Sequence, residues 1–121
     1  MNIAVSSFDE KKDALLDKRF GRCNYFQIYN EAKEQIKAVK NEGQISGSGA
    51  GVSAAQQIID EKIDVVITGN LGPNAFKILQ RANIKAYKCG EVSVEEALSM
   101  LNKGELEQIE VAGKAHHGMN V

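Results

Sequence analysis

The sequence predicts an α/β domain with helices on both faces of a mixed β-sheet. Two observations carry this expectation. Short apolar or alternating runs recur in the order β, β, β, α, β, α, β, α along the 121 residues. Each helical run follows a turn, glycine or capping signal.

"NIAVSS" (2–7) reads as the first strand. The polar stretch 8–18 reads as a long loop, with a helical turn at 13–16. "YFQIYN" and "QIKAVKN" alternate apolar and polar residues around the charged turn "EAKE", which predicts a β-hairpin. "VSAAQQIIDEK" spaces Val52, Ala55, Ile58 and Ile59 as one helix face, directly after the glycine-rich "SGSGAG". "IDVVIT" is then a buried strand. Gly72 and Pro73 open the next helix, because proline fits a first turn where its missing N–H costs nothing. Ala75, Phe76, Ile78, Leu79 and Ala82 supply that helix with an apolar face. "IKAYKC" is a further strand, and "SVEEALSMLNKG" is a helix with a capping box from Ser93 to Glu96 and a stop at Gly104. One weak apolar alternation follows Glu105, and residues 112–121 are expected to form a flexible tail. No internal repeat, linker or low-complexity tract interrupts this order, so residues 1–121 form one domain.

A chain of this length buries about two thirds of the surface its unfolded form exposes. The net charge is −1 and the basic residues are interleaved with acidic ones. That balance argues against a nucleic-acid footprint and against an acidic membrane surface as partner. Met1 leads straight into an apolar run with no basic leader region, and no stretch is long enough to cross a bilayer, so a cytoplasmic location is expected. The two cysteines, Cys23 and Cys89, form no CxxC pair. Spacing therefore predicts no zinc site, and a reducing compartment keeps both as free thiols.

The unusual chemistry begins at "RFGRCNYF" (19–26), where Cys23 stands next to Arg22 and near Arg19. Adjacent guanidinium groups lower a thiol pKa, so a thiolate is expected at Cys23. Taken together and in this order, "DKRFGRCNYF", "SGSGAG" and "VVITGNLGPNAFKIL" resemble the dinitrogenase iron-molybdenum cofactor biosynthesis family, the small NifX-like proteins and the C-terminal domain of NifB-like proteins. The resemblance runs from the first strand to the last helix. It implies a three-layer α/β/α domain with a ribonuclease-H-like motif, whose five-stranded mixed sheet has the order 3-2-1-4-5 with strand 2 antiparallel. It also implies binding or carriage of iron-sulfur or molybdenum-containing cluster precursors, with cofactor-assembly or recipient proteins as partners.

That topology brings the motifs to one sheet edge, where open α/β sheets take their ligands. Ser6 and Ser7 end strand 1, Arg19, Arg22 and Cys23 precede strand 2, and Cys89 ends strand 5. Gly47, Gly49 and Gly51 follow strand 3, while Thr68, Gly69, Asn70, Gly72 and Asn74 follow strand 4. Two helix N-termini there favour an anion, and the glycines allow its close approach. Arg19 and Arg22 add charge-assisted hydrogen bonds. Cys23, Cys89, His116 and His117 are the candidate metal donors. Two cysteines are too few for a permanent four-thiolate centre, so the expected cluster is preassembled and transiently held by a non-catalytic carrier.

Each feature also has a plainer reading: glycines as turn formers, arginines as surface ion pairs, cysteines as small core residues and the histidines as a solvated tail. A nuclease would need carboxylates at the strand ends, and "IAVSS" and "VVITG" offer none. A nucleotide- or phosphate-binding module is the main rival, although "GSGAG" matches neither GxGxxG nor GxxxxGK[ST]. A protein-interaction module is the third reading.

Overall fold

The structure, a computed structural model, describes residues 1–45 and 49–113. Strands β1 (Ile3–Ser7), β2 (Tyr25–Tyr29) and β3 (Gln35–Lys40) come first, followed by a 3₁₀ turn at Glu42–Ile45. Helix α1 (Ala50–Asp60), β4 (Val65–Thr68), α2 (Pro73–Arg81), β5 (Lys85–Lys88), α3 (Val94–Asn102) and the two-residue β6 (Glu107–Gln108) complete the chain. The sheet order is β3-β2-β1-β4-β5-β6. β2 runs antiparallel to β1 and β3, whereas β1, β4 and β5 are mutually parallel. The first five strands thus have the expected ribonuclease-H-like order. The weak alternation after Glu105 adds a sixth strand, antiparallel to β5.

Alternation along the strands divides the core into two layers. Ala4, Phe26, Ile28, Val66 and Ala86 meet Ala54, Ala55 and Ile58 of α1 and Ala75 and Leu79 of α2. Ile3, Val5, Val65 and Ile67 share the second layer with Val94, Ala97 and Leu98 of α3. Helices therefore cover both faces, and among the described residues no helix is long and apolar enough to cross a membrane.

The helical turn expected at 13–16 does not form. Leu15 bridges to Ser93 and Leu16 to Ser7, the Leu16 amide donates to the Val92 carbonyl (2.8 Å), and the Asp17 amide donates to the Ser6 carbonyl (2.9 Å). Backbone partners on β1 and before α3 outcompete a local helix. The loop is also tied to the sheet by Gln27, whose buried amide donates to the carbonyls of Asp9 and Lys11, both at 2.8 Å. Helix α1 begins two residues ahead of its apolar spacing, at Ala50, because Gly49 turns the chain with φ 77°.

The 17–24 loop lies across both helix entrances at backbone contact distance. A Cβ on Gly69 would stand 2.4 Å from Lys18 Cβ and 2.6 Å from its Cα, and one on Gly21 would stand 3.0 Å from the Gly51 nitrogen. Gly72 differs, since nothing lies within 4 Å of an added Cβ and its backbone is extended (φ −70°, ψ 170°). Gly69→Ala is accordingly expected to cost about 1–3 kcal/mol through overpacking, measured by urea unfolding. Gly72→Ala should cost under about 1 kcal/mol, the scale of a weakened N-cap.

Candidate functional site

The C-terminal ends of β1, β4 and β5 and the start of β2 share one edge of the sheet. A cleft of about 620 Å³ opens there. One wall is the loop carrying Lys18, Arg19 and Arg22, the second is Gly49 with the first residues of α1, and the third is Gly69, Asn70 and the start of α2 at Gly72, Pro73 and Asn74.

Both helices that enter the cleft lack a side-chain cap, because their N-cap residues are Gly49 and Gly72. The first intrahelical bonds run from the Ser53 amide to the Gly49 carbonyl and from the Phe76 amide to the Gly72 carbonyl, each at 3.0 Å. The amides of Ala50, Gly51 and Val52 in α1, and of Asn74 and Ala75 in α2, stand ahead of those bonds. Helix α3, outside the cleft, is built differently. Its Glu96 amide donates to Ser93 Oγ (3.0 Å), and the Val94 and Glu95 amides donate to the Ala14 and Lys12 carbonyls. The two cleft helices therefore present polar N–H groups and positive dipole ends where a ligand can take them.

Among the described residues the lining adds three cations, Lys18, Arg19 and Arg22, and no carboxylate. Arg19 is held firmly. Its Nε donates to Asp17 Oδ1 (3.0 Å) and its Nη2 to Asp17 Oδ2 (2.8 Å), while its backbone amide also donates to Oδ1 (3.0 Å). The hydrogen bond to Asp17, followed by the Asp17 charge, pushes the Arg19 pKa upward. The guanidinium also lies 5.9 Å from the Phe8 ring centroid, a cation–π contact.

Of the expected cofactor-binding residues, Arg19, Arg22, Gly49, Gly51, Gly69, Asn70, Gly72 and Asn74 line this one cleft. Gly47, His116 and His117 lie outside the described residues. Three expectations need correction. Cys23 is not a thiolate at the rim: it is fully buried in the α1/α2 layer, and its Sγ lies 3.5 Å from both the Phe20 carbonyl and Asn41 Nδ2. Burial, with a smaller push from Asp17, raises this thiol to about 12. The neighbouring arginines do not reverse that, because Arg19 is neutralised by Asp17 and desolvation dominates. Cys89 is buried in the opposite layer beneath α3, and burial raises its thiol as well. Thr68 does not face the cleft; it is fully buried, with Oγ1 2.7 Å from Ser6 Oγ. Among the described residues no group of three or more His, Cys, Asp or Glu side chains is placed to hold a metal ion.

Three site residues escaped the sequence reading. Lys18 belongs to the quoted DKRFGR run, but only its packing on Gly69 shows that it reaches the cleft wall. Asp17 shows itself only in the i, i+2 spacing to Arg19. Asn41, whose Nδ2 donates to the Cys23 carbonyl (3.0 Å) and the Phe20 carbonyl (3.3 Å), braces the loop from a distant segment.

The family model for the dinitrogenase iron-molybdenum cofactor matches residues 1–104. The chain is similar to the orange protein of Desulfovibrio gigas, solved in its apo form, with 33% identity, coverage of 93% of this chain and 96% of that one, and a TM-score of 0.88. It is also similar to a putative NifB protein of Thermotoga, solved by NMR, at 27% identity over 94% of this chain and 97% of the other, with a TM-score of 0.81. An uncharacterised protein of Methanocaldococcus jannaschii is 29% identical over 98 residues, which is 78% of this chain and 83% of the relative. With most of its length matched by that model, the chain belongs to the dinitrogenase iron-molybdenum cofactor family.

The raised Cys23 thiol has a consequence for stability. An unfolded chain loses a thiol proton near pH 8.5, whereas folded Cys23 keeps it to about 12. The folded state binds more protons in that window, so its stability is intact below about pH 8.5 and falls as pH rises beyond it. Denaturant titrations from pH 7 to pH 10 should show this decline, and Cys23→Ala should reduce its slope. Iodoacetamide should label Cys23 far more slowly in the native protein than in the unfolded chain at pH 8.

Proposed function

We propose that this member of the dinitrogenase iron-molybdenum cofactor family is a non-catalytic carrier of an anionic metallocluster or cluster precursor, of the iron–sulfur or iron–molybdenum type. In this reading it works in the cytoplasm and holds its cargo transiently between assembly and recipient proteins. The observation that carries the proposal is the meeting of two helix N-termini without side-chain caps and three cationic side chains on one glycine-walled cleft whose described lining holds no carboxylate. Such an arrangement suits a compact polyanion, and a volume of about 620 Å³ is that of a small-molecule site. The family supplies the cofactor context. The likeness to a protein solved in an apo form supports a fold that takes a ligand.

The corrected cysteines change how the cargo is held. With Cys23 and Cys89 both buried away from the cleft, the cluster brings its own ligands and is retained by charge and N–H contacts. His116 and His117, outside the described residues, stay in this reading only as candidate metal donors that supplement those contacts. Holding of this kind favours hand-over, since release breaks no metal–thiolate bond.

Anaerobic titration with tetrathiomolybdate and with a thiolate-capped synthetic [4Fe–4S] cluster, monitored by thermal shift, tests the reading against ATP as competitor class. At least one metal–sulfide anion is expected to raise the melting temperature. Arg22→Gln should weaken binding of that anion by about tenfold or more, the scale of one charge-assisted hydrogen bond at about 1.5–3 kcal/mol. Cys23→Ser should leave affinity unchanged. A response to ATP with none to either metal–sulfide anion would instead identify a nucleotide module.

A further inference from the structure

We infer that Asp17 is a positioning residue that sets how tightly the cleft holds its anion, by fixing Arg19 in one orientation and offsetting its charge from inside the fold. The inference rests on the carrier reading above. The pair is strongly asymmetric: the Asp17 side chain is 2% exposed and the Arg19 side chain 60% exposed. The acid is sunk behind the wall, and the cation stands in the cleft lining. Three N–H groups of Arg19, those of the backbone, Nε and Nη2, are committed to the one carboxylate. A guanidinium carries five N–H donors in a fixed fork, so this grip leaves donors on Nη1 and Nη2 for the ligand while removing the freedom to swing.

Asp17 is itself braced from the centre of the sheet. Its amide donates to the Ser6 carbonyl (2.9 Å), and its carbonyl accepts from Ser6 Oγ (2.6 Å). Since Ser6 spends its single proton on that carbonyl, Thr68 Oγ1, 2.7 Å away, donates to Ser6. The two buried hydroxyls at the ends of β1 and β4 thus form a chain from Thr68 through Ser6 to Asp17 and on to Arg19. This accounts for the burial of Thr68, which holds no ligand itself. In the surface pair Lys37–Glu61 (2.6 Å), by contrast, both partners are partly exposed.

The electrostatic result, among the described residues, is a cleft with three cations in its lining and one carboxylate buried behind Arg19. Asp17 lowers the attraction for the anion while leaving the hydrogen-bond geometry intact. A carrier built this way recognises its cargo by shape and still releases it.

The test uses the full chain with tetrathiomolybdate as probe, under anaerobic conditions, measuring affinity and dissociation rate against ionic strength. Asp17→Asn adds one net positive charge, and its remaining oxygen can still accept from the Arg19 amide and Nε, so that only the Nη2 bond is lost. It should bind the probe about fivefold more tightly at low salt, release it more slowly and show a steeper salt dependence. Asp17→Glu keeps the charge and should keep the wild-type salt slope. A purely structural Asp17 predicts weaker binding in Asp17→Asn with the salt slope unchanged, and that result overturns the inference. If Asp17→Asn does not fold, the charge-conserving pair Asp17→Asn/Arg19→Gln decides. It should bind more tightly than Arg19→Gln alone, and equal or weaker binding would overturn the inference. Wild-type protein that binds no metal–sulfide anion would overturn the carrier reading itself, whatever the variants do.

Discussion

The cleft exists because the 17–24 loop approaches the starts of α1 and α2 to backbone contact, which side chains at Gly21 and Gly69 would prevent. These contacts set the spacing of all three walls at once. Gly21 rests on the first turn of α1, Lys18 rests on the backbone of Gly69, and Arg19 between them and Arg22 just after Gly21 line the opening. Asn41 holds the other end of the loop through the Phe20 and Cys23 carbonyls, and in doing so it places Cys23 in the core. The thiol is therefore consumed by the packing that builds the site. Its burial follows from the same close approach that leaves the arginines at the ligand.

Electrostatics follow from this geometry. Two helices begin at the cleft with glycine as N-cap, whereas α3, which begins elsewhere, is capped by Ser93 and by the carbonyls of the 12–14 segment. Glycine at an N-cap costs a helix only about a few tenths of a kcal/mol relative to a good side-chain cap, so the two starts keep their N–H groups open to a ligand at little loss of stability. The cations reinforce the same sign. Asp17 moderates it from below, and the paired hydroxyls of Ser6 and Thr68 connect that acid to the sheet.

Most of the architecture was legible because periodicity and punctuation agreed. Alternation marked the hairpin strands, Pro73 marked the start of α2, and Ser93 and Gly104 marked the ends of α3. The misread elements are those decided by tertiary contacts. The 13–16 segment looked helical by itself, but its backbone groups found partners on β1 and before α3. β6, two residues long, gave only a trace of alternation. At the site, the convergence of glycines and arginines was legible from topology. The state of Cys23 was not, since sequence adjacency to two arginines reports neither burial nor the neutralisation of Arg19 by a residue two positions earlier. Distance along the chain was a poor guide to charge environment, and desolvation decided the outcome.

The central claim is that backbone N–H groups at two helix starts, together with the loop arginines, hold a metal–sulfide anion. It is tested most directly by amide-resolved NMR of uniformly ¹⁵N-labelled protein during anaerobic titration with tetrathiomolybdate. The account predicts that the largest shifts fall on the amides of Gly51, Val52, Asn74 and Ala75 and on the side-chain signals of Arg19 and Arg22, while the α3 amides stay in place. Saturable shifts confined to another surface, such as the groove between α2 and β6 lined by Phe76, Asn83 and Ile109, with the cleft amides unmoved, would contradict it.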